Sequence, residues 1–209
     1  MDLIIGGGTY GLRAARFSRG EGREARVFDP DPGCRVARFL AEKPQPGIAW
    51  VCGEIPEAYH FFTAARPTRV FPTAPVHVAA RIIAAACGLH EREGGTGPVA
   101  EKIPGVFHAG QSGADLFLSF NPAGTCAPGC SFPVCCPVTG EDRPVPLHVR
   151  LREWYPACIV VESVQLCPGL GAIRGEDLVA AIARCRGRAE VCIATACRCH
   201  GVVTVLAAR

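Results

Sequence analysis

Cysteine is the chemically conspicuous residue of this chain, thirteen in 209 residues, and several of them fall into two groups. Cys126-Ala-Pro-Gly-Cys130 is followed by Ser-Phe-Pro-Val-Cys135-Cys136-Pro-Val-Thr-Gly140, and turn-forming Pro and Gly between the thiols aim several sulfurs at one point. Far downstream, Cys197-Arg-Cys199-His200 puts two thiols and an imidazole at the end of an apolar run. Zinc takes four such ligands, and Cys126, Cys130 and Cys136 with one donor from the distal group would make a closed structural site. Iron-sulfur clusters also take four cysteines as a rule, and Cys126, Cys130 and Cys136 with Cys197 or Cys199 would serve. The spacing does not choose between these metals, and Cys135 is the spare thiol. Cys-Arg-Cys-His is one residue short of a haem-attachment pattern, which excludes covalent haem. A second reading of Cys197, Cys199 and His200 is a reactive thiol whose imidazole neighbour lowers its pKa.

At the N-terminus, Leu3-Ile4-Ile5 runs into Gly6-Gly7-Gly8-Thr9-Tyr10-Gly11, a G-x-G-x-x-G pattern, and the next apolar run ends on Asp29. Gly6 permits a tight turn out of the strand, Gly8 lets backbone approach a pyrophosphate, and Gly11 lets the following helix sit close to the strand. The helix start at Thr9 and Tyr10 offers free N–H groups to phosphate. Asp29 is placed to accept from ribose hydroxyls and would repel a 2′-phosphate. NAD(H) is therefore favoured over NADP(H), with FAD, ATP or S-adenosylmethionine as other adenine ligands. From Asp2 to Asp31, the run Leu-Ile-Ile-Gly-Gly-Gly-Thr-Tyr-Gly-Leu and then Val-Phe-Asp-Pro-Asp resembles the N-terminal domain of the Trk-type potassium-uptake regulators and other Rossmann NAD-binding proteins. The resemblance implies a Rossmann fold and an NAD-type ligand at Gly6, Gly8, Gly11 and Asp29. The Cys-rich half departs from those regulators, so no role in potassium transport is carried over.

These groups need elements to position them. Leu3 to Ile5, Ala25 to Phe28, Ile48 to Cys52 and Arg69 to Phe71 read as strands, with helices opening near Thr9, Gly33, Pro56 and Pro75. Such alternation implies right-handed crossovers and a doubly wound parallel sheet, an α/β class with helices on both faces. From His90 to Pro146 the chain turns rich in Gly, Pro and Cys, apart from Asp115 to Phe120, which could be a strand. A loop that long needs a function or a staple. The α/β rhythm returns with a strand at Cys158 to Val164, a helix at Gly175 to Arg186, a strand at Glu190 to Ala194 and an apolar run at Val202 to Leu206. The expected organisation is a Rossmann-like unit over 1–89, a Cys-rich metal-binding insertion over 90–150, and a C-terminal part over 151–209 completing the sheet.

The formal charge is +3 with acids and bases interspersed, so no basic face for nucleic acid is expected. The most apolar stretch, Pro75 to Gly88, carries His77 and Arg81 and is too short to span a bilayer. Met1-Asp2 leads straight into the first strand without a secretory leader, so a cytoplasmic location is expected. In that reducing compartment an odd number of cysteines reads as metal or redox chemistry rather than disulfides. Cys34, Cys52, Cys87, Cys158, Cys185 and Cys192 lie in apolar stretches and are expected in the core. Cys167-Pro-Gly-Leu-Gly171 reads as a second glycine-rich turn between strand and helix. His60, His77, His90, His108 and His148 have no acid or nucleophile partner in sequence, and no G-x-S-x-G, Walker A or H-E-x-x-H pattern is present. The expected function is an NAD(H)-type nucleotide-binding protein with a cysteine-ligated metal site, zinc or iron-sulfur, in a redox role; an NAD-dependent oxidoreductase, with the Gly6 and Cys197 loops opening on one sheet edge, is the enzyme this is compatible with. A nucleotide is its small-molecule partner, and a homo-oligomer or a redox partner protein is compatible with it. The alternative is a nucleotide-sensing module with a purely structural zinc, and a third is a metal-handling protein that uses its α/β body as a scaffold.

Overall fold

The structure, a computed structural model, describes residues 1–127 and 129–209. In its first part, strands and helices alternate: β1 (Asp2–Ile5), α1 (Thr9–Gly20), β2 (Ala25–Phe28), α2 (Arg35–Glu42), β3 (Ile48–Val51), α3 (Ile55–Ala65), β4 (Arg69–Pro72) and α4 (Val78–Cys87). Helix starts follow local chemistry. Glu54 and Glu57 form a reciprocal capping box on α3 beside Pro56, and the Cys34 thiol accepts from the Ala37 amide to cap α2. Gly88, with φ +66°, ends α4 in the left-handed region.

The second part contains β5 (His90–Glu91), α5 (Gly97–Ala100), β6 (His108–Ser112), β7 (Asp115–Ser119), α6 (Leu147–Trp154), β8 (Ile159–Cys167), β9 (Leu170–Arg174), α7 (Gly175–Cys185), β10 (Glu190–Ala196) and β11 (His200–Ala207). The strands form one sheet in the order β3-β2-β1-β4-β9-β8-β10-β11-β7-β6, with β5 on the side of β11. The four N-terminal strands pair in parallel, as the alternating pattern predicts. Beyond β4 the sheet is mixed rather than parallel throughout: β9 is antiparallel to both β4 and β8, and β11 is antiparallel to β10 and β7. The turn at Pro168-Gly169 therefore joins the two strands of a hairpin, β8 and β9, and not a strand to a helix. Its short second strand, Leu-Gly-Ala-Ile-Arg, carries too little alternation to be separated from a loop by pattern.

Alternate residues of each strand serve opposite faces. Leu3, Ile5, Ile159, Val161, Val191 and Ile193 pack with α3, α4 and α7 on one side. On the other, Ile4 and Val27 pack under α1 and α2, and Val160, Cys192 and Ala194 pack under α6. The sheet is thus covered by helices on both faces, a mixed α/β architecture. Among the described residues no helix is long and apolar enough to cross a membrane.

Two buried polar groups fasten this frame. The carboxylate of Asp2, fully buried in β1, accepts from Ser18 Oγ at 2.8 Å, Arg23 Nε at 3.0 Å and Arg69 Nη2 at 2.6 Å. Burial alone would raise its pKa; the hydrogen bonds and charge of Arg69, with Ser18 and Arg23, outweigh that and hold it below the usual carboxylate range. His77, between β4 and α4, is 2 % exposed, with Nδ1 2.6 Å from Thr204 Oγ1 and Nε2 2.8 Å from Thr195 Oγ1. Thr204 gives its hydroxyl proton to Asp115, so it must accept from His77 Nδ1–H, which leaves Nε2 to accept from Thr195. This neutral tautomer is satisfied at both nitrogens, and a second ring proton would force the Thr195 hydroxyl to turn from donor to acceptor.

Burial, reinforced by the charge of Arg81, accordingly lowers the His77 pKa to about 3. Because the folded value lies below the unfolded value, the unfolded chain binds the extra proton first, and stability falls as pH drops from the unfolded His pKa toward the folded one. His77 should cost about 2 kcal/mol of stability between pH 7 and pH 5, at roughly 1.4 kcal/mol per pH unit once below the unfolded pKa. Chemical denaturation at both pH values, compared with His77→Gln, checks this: the variant should lack that increment.

Candidate functional site

The distal donor group sits on a hairpin. Strands β10 and β11 pair in full register from Glu190↔Ala207 to Ala196↔Gly201, and Cys197 N–H closes the turn on His200 O at 2.9 Å. The turn's outward carbonyls are taken by its surroundings. Leu147 N–H, entering α6, donates to Arg198 O at 2.7 Å, His148 N–H to Cys197 O at 3.3 Å, and Phe120 N–H to Cys199 O at 3.0 Å. Both ends of the Cys-rich segment, Phe120 and Leu147, are thus fixed on the hairpin tip, and the segment between them folds over it.

That closure unites the two donor groups. Cys126 Sγ is 3.2 Å from His200 Nε2, Cys197 Sγ is 3.9 Å from Nδ1, and the His200 amide donates to Cys197 Sγ at 3.3 Å. Cys126, Cys130, Cys136, Cys199 and His200 line one small cavity of about 10 Å³, with Arg143 in its wall. That is room for about one water-sized guest. Cys197 flanks the cavity behind the imidazole, and Cys135 is exposed. Among the described residues no three His, Cys, Asp or Glu side chains converge closely enough, as placed, to hold an ion.

The electrostatics are uneven. Burial first, then the neighbouring thiols Cys130 and Cys136, raise the Cys126 pKa; burial raises Cys197, and burial with Cys197 lifts Cys199 to about 11. Cys136 moves the other way, to about 7, because the amide and then the hydroxyl of Thr139, and the amide of Val138, face its sulfur. Burial, and then the charge of Arg143, lowers His200, which favours the neutral imidazole. Arg143, 6 % exposed, is the cation beside the cluster, and its Nη2 donates to Phe120 O at 2.8 Å and Thr139 Oγ1 at 2.9 Å. Neither Thr139 nor Arg143 was expected from sequence. The Cys136-Pro-Val-Thr-Gly140 turn was the available signal for Thr139, whereas Arg143 stands in no recognisable pattern.

The glycine loop has the expected mechanics. Gly6 has φ +104°, and a Cβ on Gly11 would lie 1.9 Å from Gly6 O. Gly8 has open space around it, and Gly8, Thr9 and Tyr10 are exposed at the uncapped start of α1. Asp29 is occupied differently from expectation: its Oδ2 accepts from Gly7 N–H at 2.6 Å and its Oδ1 from Asp31 N–H at 2.9 Å. The acid therefore shapes the loop and braces the following turn. Val36 N–H donates to Gly7 O at 2.9 Å, bringing the start of α2 over the same loop.

Strand directions relate the two regions. Because β9 reverses twice, β10 runs in the same sense as β1, so Gly6 and Cys197 leave the sheet on the same edge. Four strand spacings in the order β1-β4-β9-β8-β10 separate them, roughly 19 Å at the usual inter-strand distance. Of the cysteines expected in the core, Cys34, Cys158, Cys185 and Cys192 are buried; Cys87 is half-buried and Cys52 is exposed just past β3, beyond the reach of the apolar cover.

Family comparisons agree with this frame in extent. The N-terminal domain of the AF_1314 family, described as "Uncharacterized protein, N-terminal domain", matches residues 1–78, and the C-terminal domain of the same description matches residues 79–209. A protein of Archaeoglobus fulgidus named "Uncharacterized protein" is 35% identical over 213 residues, covering 99% of each chain. The chain belongs to the AF_1314 family. No solved structure matches it.

The two glycines of the loop separate packing from access. Gly11→Ala should lower stability by about 2 kcal/mol, since overpacking of about 1–3 kcal/mol exceeds the helix-propensity gain of up to about 1 kcal/mol. Gly8→Ala should leave stability within about 0.5 kcal/mol of the parent. Urea denaturation of the two variants checks both, and equal effects would contradict the loop geometry.

Proposed function

We propose that this member of the AF_1314 family is an NAD-type nucleotide-binding protein with a cysteine-ligated metal centre of redox role. The observation that carries the reading is the closing of two donor groups, 74 residues apart at Cys126 and His200, onto one small cavity. Crowded, partly buried thiols gain little from proximity as thiols. A cation reverses the balance, because thiolates are its ligands and metal binding displaces their protons. Cys136, already eased toward the thiolate by Thr139 and Val138, and neutral His200 are the donors most ready to bind. Four of Cys126, Cys130, Cys136, Cys197, Cys199 and His200 would complete either a zinc site or, with cysteines alone, an iron-sulfur site.

The nucleotide part of the reading rests on the Gly6–Gly11 loop and the parallel β3-β2-β1-β4 order, which is that of a Rossmann-like half. Exposed amides at Gly8, Thr9 and Tyr10 would meet the pyrophosphate, and the open space at Gly8 gives it room. Asp29, held by Gly7 and Asp31, stands at the end of β2 where a 2′-phosphate would meet a carboxylate. Redox exchange would require the nicotinamide end of the ligand to extend along the sheet edge toward β10.

A specific observation favours a second reading, a nucleotide sensor with a structural zinc: the cavity has the volume of about one water-sized guest, less than a cluster of several iron and sulfur atoms needs. Anaerobic purification followed by metal analysis and an absorption spectrum decides between them. Iron with the broad visible absorbance of sulfide-to-iron charge transfer, bleached by NADH, is the outcome expected for the redox centre. One colourless zinc per chain overturns electron transfer and leaves the sensor. In either case Cys126→Ser and Cys136→Ser should weaken metal retention by at least about tenfold, the scale on which even outer-shell partners act, while Cys135→Ser and Cys52→Ser retain it. Gly8→Val should abolish NADH binding without unfolding the chain.

A further inference from the structure

Cys158 and Cys192 take no part in the cluster at the hairpin tip. Cys192 lies in β10 five residues before Cys197, roughly 17 Å away at the usual rise along a strand. Its thiol donates to Cys158 Sγ at 3.1 Å, and both side chains are buried. We propose that these two thiols are a site of oxidation that closes into an intramolecular disulfide and fastens β8 to β10.

The sheet brings the pair into register. Pairing of the two parallel strands starts at Ile159↔Ile193, and the residues one position earlier are Cys158 and Cys192. Both side chains belong to the apolar layer under α6, with Val160 and Ala194 two positions further along the same strands. Neighbouring strands lie about 4.8 Å apart, inside the Cα separation of about 4.4–6.8 Å that a disulfide spans. An S–S bond of about 2.0 Å therefore needs about 1 Å of approach from the present contact, within reach of rotation about the two Cα–Cβ bonds. Packing would be served as well by alanine or valine at either place, whereas a bond requires sulfur at both.

Access is through the turn that leads into β8. Cys158 N–H donates to Tyr155 O at 2.9 Å, and Pro156 and Ala157 between them are exposed. Because strand pairing begins at Ile159, this turn can open without breaking the ladder. The oxidant is a small-molecule disulfide, with oxidised glutathione as the probe. One thiol of the pair, deprotonated, attacks a glutathione sulfur and expels a glutathione thiolate; the second attacks the first in the mixed disulfide and expels the other. The chain gives up two protons and two electrons, which leave as two molecules of reduced glutathione. The hydrogen bond from Cys192, and then burial, hold the Cys158 thiol well above its usual pKa, so closure runs over hours rather than seconds. The closed loop spans 34 residues and contains β9 and α7. It joins the two strands on which the Cys-rich segment rests, since β10 carries Cys197 and Gln165 of β8 donates from Nε2 to Cys130 O at 2.8 Å.

The test is incubation of the full chain for hours with oxidised glutathione at mildly alkaline pH, alkylation of the remaining thiols in denaturant, digestion and mass-spectrometric mapping. Metal content is measured on the same samples. A peptide pair joined at Cys158 and Cys192, lighter by two hydrogens than its reduced halves, is expected. With it the thermal midpoint should rise by roughly 5 °C or more and fall back on reduction. Cys158→Ala and Cys192→Ala should show neither the joined pair nor the rise. Alkylation of both residues throughout, a separate glutathione adduct on each, or a bond that maps elsewhere overturns the proposal. A joined pair that leaves the midpoint unchanged overturns the fastening. A joined pair in a chain that holds no metal supports the bond and counts against the metal centre, so the two readings fail separately.

Discussion

The tip of the β10–β11 hairpin is the constraint from which the rest of the chemistry follows. A turn whose outward carbonyls are covered by neighbouring chain must find donors for them, and here they come from Phe120 N–H and from the free amides at the start of α6. Those donors are the two ends of the Cys-rich segment. Arg198 adds a second tie from the tip, its Nη2 donating to Arg143 O at 2.9 Å. A segment with so little regular structure has no core of its own to order it. Clamped at both ends on Cys197–His200, it lays Cys126, Cys130 and Cys136 over that tip.

The sheet gives this tip its direction. Inserting the β8–β9 hairpin between the parallel N-terminal strands and β10 reverses the chain twice, so β10 again points the way of β1. Turns at the ends of such strands carry free amides and exposed side chains on a rigid base. The glycine loop and the thiol cluster therefore share an edge although one is near the start of the chain and the other near its end. His77, bonded to Thr195 of β10 and Thr204 of β11, ties the α4 start to the same two strands.

Much of this was legible because the informative residues are few and chemically distinctive. Gly6, Gly8 and Gly11 follow a run, Leu3-Ile4-Ile5, that could only be a buried strand, and each glycine has its own steric reason. Cys126, Cys130, Cys136, Cys197, Cys199 and His200 can be grouped by donor type alone, without knowledge of the fold. What sequence could not supply was any feature made by contact between distant segments. The Asp29 carboxylate looked free for a ribose because nothing local shows that Gly7 and Asp31 would take it. Strand β9 was hidden by its shortness and by Pro168-Gly169, which punctuates a hairpin as readily as a strand-to-helix turn. Cys52 ends an apolar strand yet is exposed, since periodicity says where a strand lies and not where its cover stops.

Arg143 is the extreme case of such hidden information, and it also organises the charge of the site. With Cys199 raised to about 11 and Cys126 and Cys197 raised as well, Cys136 near 7 is the thiol that ionises first. Arg143 is already paired with the Glu141 carboxylate, so a thiolate at Cys136 is a second anion beside the same guanidinium. Ionising a further thiol in so poorly solvated a cluster is costly unless another positive charge arrives. The same guanidinium is held on its other side by Phe120 O, Thr139 and Glu141, so it cannot move to follow the added charge. A fixed cation therefore sets the cluster's resting charge, and any further thiolate must be matched by something that enters from outside.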